Sequence, residues 1–216
     1  MDNIQYNIVE FLRANGAVDV GFSKVDDGPS ELNNAITIVA RLSDAVIDEI
    51  EDKPTHTYFH HYRSVNQFLD QLSLRCGFLL AKEGYKYIAV AASQSIPTED
   101  SPYQGRYSHK KPAVLSGLGT MGKNNLFLHR EFGSRVRLAT IFTDLEFEPE
   151  LKRIETDLCT NCMKCVEICP AGAITDSGFV PALCSEHMKK AYQRIGRGAV
   201  CGLCMRVCPA LAEEKI

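Results

Sequence analysis

The chain has 216 residues, 45% hydrophobic and 24% charged, with a formal net charge of −3. That length can bury a core without disulfide staples, and no run approaches the roughly 18 apolar residues that span a membrane. There is no basic excess to recruit nucleic acid globally. Met1 to Glu10 lacks the basic and apolar regions of a signal peptide, so a reducing cytoplasm is the expected location.

Ile4, Ile8, Phe11 and Leu12 make a helical stripe that Asn15-Gly16 should end. Val18 to Phe22 is a short apolar run, Asp26-Asp27-Gly28-Pro29 a turn, and β-branched Ala35 to Leu42 a buried strand. A long helix is predicted from Tyr58, Tyr62, Val65, Leu69, Leu72, Cys76 and Leu79 at steps of four and three. Cys76 sits on that stripe as a small core residue. Tyr87 to Ala92 reads as a strand, and polar Ser93 to Tyr107 as a loop long enough to be functional. Asn125 to Leu128 and Val136 to Phe142 are expected as a closing pair of strands, turning at Glu131 to Ser134, with Asp144 to Glu155 as an acidic link. The order predicts an α/β (α+β) domain over residues 1–150, a sheet with helices packed on it, then a cysteine-rich domain over 151–216.

Eight of the nine cysteines fall between Cys159 and Pro209. Cys159, Cys162, Cys165 and Cys169-Pro170 have the C-x2-C-x2-C-x3-C-P spacing of two-cluster ferredoxins, in which the fourth thiolate crosses to the other cluster. The second run departs from it. Gly198 stands where a cysteine is expected, and Cys184, Cys201, Cys204 and Cys208-Pro209 remain. The expected assignment is Cys159, Cys162, Cys165 and Cys208 to one [4Fe–4S] cluster, and Cys169, Cys184, Cys201 and Cys204 to a second. Zinc, which also uses paired C-x2-C, and a three-iron cluster that leaves Cys184 unused are the alternatives. Lys189, Lys190, Arg194 and Arg197 lie between Cys184 and Cys201, either as a solvated face or as a docking patch for an acidic donor or a phosphate-bearing ligand.

Gly117-Leu118-Gly119-Thr120-Met121-Gly122 matches G-x-G-x-x-G, but strand-like Leu126-Phe127-Leu128 follows where a dinucleotide site needs a helix. The glycines predict close backbone approach, to a packed neighbour or to a large flat cofactor.

The segment KKPAVLSGLGTMGKNNLFLHREFGSRVRLATIFTDLEF, followed by CTNCMKCVEICPAGAI and CGLCMRVCP, resembles the epoxyqueuosine reductases, relatives of the reductive dehalogenases. The resemblance implies a nitroreductase-like domain that binds cobalamin, or less expectedly a flavin, followed by a ferredoxin-like domain with two [4Fe–4S] clusters. It also implies that Gly117, Gly119, Gly122, Lys123 and Asn124 line the corrinoid pocket. Electrons from a donor such as ferredoxin or flavodoxin would then reduce a small electrophilic substrate. A non-catalytic electron-transfer protein is the other reading. The aspartate that those enzymes carry before the glycine loop aligns here with Tyr103, or with Asp100 across a gap, and the chain stops at Ile216 without their helical repeats. tRNA is therefore not expected as a partner. Tyr103, Tyr107 and His109 are the candidate proton donors, each also readable as structural.

Overall fold

The computed structural model describes residues 4–96, 104–148, 154, 156–198 and 200–210. In chain order the elements are α1 (Ile4–Ala14), β1 (Asp19–Lys24), β2 (Asn34–Arg41), α2 (Asp44–Asp48), α3 (His56–Lys82), β3 (Tyr87–Val90), α4 (Lys110–Leu115) and β4 (Gly119–Met121). There follow β5 (Phe127–His129), β6 (Val136–Thr143), α5 (Lys164–Glu167), β7 (Ile174–Thr175), β8 (Gly178–Phe179), α6 (Pro181–Ala191) and α7 (Leu203–Arg206). They form two compact units. One is drawn from Met1–Arg41, Val65–Leu118 and Arg137–Glu155, the other from Leu42–Ser64, Gly119–Val136 and Thr156–Ile216. Among the described residues no helix is long and apolar enough to cross a membrane.

The first unit holds a four-stranded sheet in the order β1-β2-β6-β3. β1 pairs antiparallel with β2, Phe22 opposite Ile36, and β3 pairs antiparallel with β6, Ile88 opposite Phe142. Because side chains alternate across a strand, Ile36, Ile38 and Ala40 of β2 join Ala139 and Ile141 of β6 on one face. Ile8 and Leu12 of α1 and Leu69, Leu72, Cys76 and Leu80 of α3 close over them. The opposite face carries Ala35, Val90 and Phe142 with Val25 and Leu32. α1 ends as its sequence predicts: Gly16 takes φ +102, Ala17 N–H donates to Leu12 O at 3.0 Å, and Asn15 Nδ2 donates to Phe11 O at 2.8 Å.

Two details differ from expectation, and one element had no assignment from the sequence. Leu80, fully buried, closes the α3 stripe, whereas Leu79 is 36% exposed. At 3.6 residues per turn, successive steps of four from Leu72 through Cys76 hold the buried face. The run after the glycines pairs with a strand that was not foreseen: β5 joins β4, Thr120 opposite Leu128, while β6 enters the large sheet. The two expected partners thus lie in different sheets. Finally, the segment carrying Cys184 is helical as α6, because Pro181 suits a first helical turn.

Candidate metal centre

The two cysteine runs fold as near-repeats. In the first, Met163 in the left-handed region (φ 63) precedes α5, which contains Cys165 and runs out to Cys169-Pro170. In the second, Gly202 (φ 80) precedes α7, which contains Cys204 and runs out to Cys208-Pro209. The hydrogen bonds match step for step. Val166 and Glu167 N–H donate to Met163 O, as Met205 and Arg206 N–H donate to Gly202 O. Asn161, at φ 54, adds a second left-handed residue to the first loop. Such alternation turns successive amides toward a common centre, the arrangement that binds anionic groups. Gly202 is also required by space, since a Cβ there would lie 2.8 Å from Ile50 and Tyr58.

The thiols fall into two groups. Cys165 interacts electrostatically with Cys208, Cys159 and Cys162, and these four line a small hollow together with Gly122, Lys123 and Asn124. Cys184 interacts with Cys201 and Cys169, and Cys204 with Cys201, Cys184, Cys169 and, least of the four, Cys165 of the first group. Burial, reinforced by the neighbouring thiols, pushes Cys184 up to about 11 and Cys204 up to about 12. Burial likewise raises Cys165, Cys201 and Cys208. Thiols placed this way ionise only when a cationic core compensates them. Among the described residues no three His, Cys, Asp or Glu side chains converge so as to hold a single metal ion.

The surrounding chain fixes the loops. Ala173 N–H donates to Cys169 Sγ at 3.4 Å. Asp157 Oδ1 accepts from Cys159 N–H and from the Thr120 hydroxyl, whose oxygen accepts from Leu158 N–H. Asn124 Nδ2 donates to Cys204 O at 3.2 Å, and the Ser134 hydroxyl donates to Met205 O at 3.1 Å. Asn124, expected at a corrinoid, therefore has a structural hold on the second cysteine run.

Sequence reasoning missed Tyr192. It is 6% exposed and packs with Phe59, Met188, Ile195 and Cys201. Its hydroxyl lies 3.3 Å from His187 Nε2 and 4.0 Å from Cys201 Sγ. The only available signal was an aromatic at an apolar step between two cysteines.

The other expected site residues have distinct settings. Gly119 is a glycine because a Cβ would lie 1.9 Å from Leu128 O across the β4–β5 pair. Gly117 takes φ +72 just past α4, where it closes a helical turn. Gly122 and Lys123 line both the thiol hollow and an adjoining open groove of about 460 Å3. Asn125, Asp157, Cys159, Asn161, Asp176 and Ser177 also face that groove, and Lys123 Nζ donates to Asp176 O at 3.4 Å. Tyr107 donates its hydroxyl proton to Asp27, which Lys111 also binds at 2.8 Å. Burial, then Asp27, raises the Tyr107 phenol to about 12. His109 has Nδ1 3.0 Å from the Thr140 hydroxyl and Nε2 3.0 Å from Ala91 O, and burial lowers its pKa. Nε2 therefore carries the proton and Nδ1 accepts one. Tyr103 and Asp100 lie outside the described residues.

Cysteines gathered on amide-rich loops suit iron–sulfur binding, and residues 152–175 match the 4Fe-4S binding domain family. More particularly, parts of the chain are similar in sequence to epoxyqueuosine reductases and to reductive dehalogenases. It is 31% identical over 115 residues to epoxyqueuosine reductase of Listeria monocytogenes serovar 1/2a, covering 49% of this chain and 30% of that protein. It is 43% identical over 65 residues to tetrachloroethene reductive dehalogenase of Desulfitobacterium hafniense, covering 29% of this chain and 12% of that one. The matches thus span a third or less of these relatives' length. Two solved structures share the mixed helix-and-sheet fold. One is a reductive dehalogenase whose structure suggests a mechanism for B12-dependent dehalogenation (TM-score 0.74, 18% identity, 97% of this chain and 32% of that). The other is epoxyqueuosine reductase with an epoxyqueuosine-modified tRNA-Tyr stem loop (TM-score 0.64, 22% identity, 99% of this chain and 66% of that). With tRNA in that structure, the expectation that tRNA is no partner finds no support.

Proposed function

We propose that the chain is an iron–sulfur reductase with a nitroreductase-like first part and a ferredoxin-like second part. Cys159, Cys162, Cys165 and Cys208 hold one [4Fe–4S] cluster, and Cys169, Cys184, Cys201 and Cys204 hold another. A cobalamin occupies the groove beside the first group. The observation that carries this reading is shared lining: Gly122, Lys123, Cys159 and Asn161 border both the four-thiol hollow and the groove. An occupant of the groove would therefore touch the shell of the first cluster.

The groove's chemistry supports a flat, amide-fringed ring. Gly178, where a Cβ would meet open space, leaves room for a ring face, while Lys123, Asn125, Asn161 and Ser177 offer donors to peripheral carbonyls. When bound, a reduced corrinoid supplies a low-valent cobalt able to transfer electrons to an electrophile such as an epoxide or an organohalide. This chain's own residues hold that ring and keep the first cluster's loop pinned through Asp157 and Thr120. Tyr107 and His109 act as posts, because the proton of each is committed to a protein acceptor. Tyr103 is left as the proposed proton donor.

The test is anaerobic isolation with excess cobalamin and, separately, with FMN. The reading expects retained corrinoid, a cobalt(II) EPR signal and reducible clusters. Clusters without corrinoid or flavin would leave a non-catalytic electron carrier. Retained FMN instead would make the protein a flavin reductase. A small epoxide and an epoxyqueuosine-modified stem loop, assayed in parallel, separate the two substrate classes.

A further inference from the structure

The segment between Cys184 and Cys201 presents a surface that the redox reading has not used. Lys189, Lys190, Arg194 and Arg197 are all exposed there, against the single carboxylate of Glu186. Lys190 binds that carboxylate at 2.6 Å. Four cations less one anion leave three positive charges in a chain whose formal net charge is −3. The other end of α6 is apolar and exposed, with Val180 at 42% and Leu183 at 44%. Leu183 immediately precedes Cys184, and at about 1.5 Å per residue Lys190 lies roughly 9 Å along the helix from that thiol.

A favourable interaction with the helix C-terminus accounts for Lys189 and Lys190 in the last turn. It accounts neither for Arg194 and Arg197, which lie past the helix, nor for the exposed apolar turn. The inner side of the segment is fixed. Met188, Tyr192 and Ile195 pack with Phe59 and Cys201, and the loop lies so close to the Phe59 ring that a Cβ on Gly196 would sit 2.2 Å from it. The patch is therefore a held surface over the second thiol group.

We propose that the face from Val180 to Arg197 is the electron-entry surface, docking an acidic one-electron carrier protein beside Cys184. This deepens the redox reading and rests on it. A small exposed apolar turn at one end of α6 and a cationic stretch at the other suit the small, short-lived encounters of redox partners. The cations steer an acidic partner into them. One electron leaves the reduced carrier, which is oxidised by one unit, and the cluster held by Cys169, Cys184, Cys201 and Cys204 is reduced by one. No bond breaks and no proton moves. The same cations would also attract RNA phosphates, but the exposed Val180 and Leu183 and the net negative chain favour a protein.

The test uses the full chain with its clusters assembled and reduced flavodoxin, an acidic flavoprotein, as probe. Stopped-flow absorbance gives the reduction rate across a salt series, calorimetry gives the Kd, and dithionite reduction reports cluster integrity. Arg194→Glu with Arg197→Glu should slow reduction about tenfold or more at low salt, flatten the salt dependence and weaken binding. Leu183→Asn should weaken binding about threefold. The charge-matched pair Lys24→Glu with Lys82→Glu, both exposed positions, should change neither by more than about twofold. Equal rates and Kd for the Arg194/Arg197 and Lys24/Lys82 pairs would overturn the inference while the redox reading stands. So would variants that lose affinity for an RNA stem loop but not for flavodoxin. A wild-type chain with no dithionite-reducible cluster would overturn the redox reading, and the docking inference with it.

Discussion

Replacing Tyr192 with Phe removes one hydroxyl and leaves the ring that packs on Phe59 in place. With a thiolate at position 201, that hydroxyl becomes the donor and the sulfur the acceptor. The separation of 4.0 Å is long for a hydrogen bond to sulfur, so its net value belongs at the weak end, about 0.5–1 kcal/mol. A donor to a ligand sulfur favours the reduced, more negative cluster. A one-electron couple moves about 59 mV for each tenfold change in equilibrium constant, so the second cluster's potential should fall by about 20–45 mV. An EPR-monitored redox titration under nitrogen reads both clusters in one sample. The potential assigned to the first group, which Tyr192 does not touch, should stay constant and serves as the internal control. An unchanged second potential, or one that rises, would refute the reasoning.

Cys184→Ser should leave one intact cluster, about four irons per chain, whereas Cys76→Ala should keep the full iron content. Cys76 is fully buried, with its thiol held near 12 by burial, and its loss should cost about 1–2 kcal/mol in chemical unfolding. His109 and His61 are both lowered by burial from an ordinary value near 6.5. The unfolded chain therefore binds more protons as pH falls below about 6.5. Stability should be full above that value and decline on acidification, with a shallower slope for His109→Gln in melts between pH 7.5 and 5.5. Gly133→Ala places a Cβ 2.3 Å from Ala210 O at φ +54, and should destabilise by about 3 kcal/mol or more in a denaturant titration.

The helices and strands with clear period were legible in the sequence. α1, α3, β2 and β6 show apolar steps that match their buried faces, and Asn15-Gly16 ended α1 where a cap was expected. β4 was not legible because its three residues include Gly119, chosen for its approach to Leu128 O rather than for strand preference. The pairing of β5 with β4 followed from that strand, which local pattern could not reveal. The Cys-Pro runs were readable because ligand spacing is a local property. Tyr192, Ser134 and Thr120 were not, since each acts through a contact made only in three dimensions. Tyr107 and His109 looked like proton donors from their position in a polar loop. Their partners Asp27, Ala91 and Thr140 are far away in sequence, so the holding role proposed for them could not be read locally.

The proposed function requires eight cysteines, in two groups of four, to hold two cubane clusters. Counting iron and acid-labile sulfide in anaerobically reconstituted protein tests it most directly. The account predicts about eight of each per chain. A count near four of each, or zinc in place of iron, would contradict it.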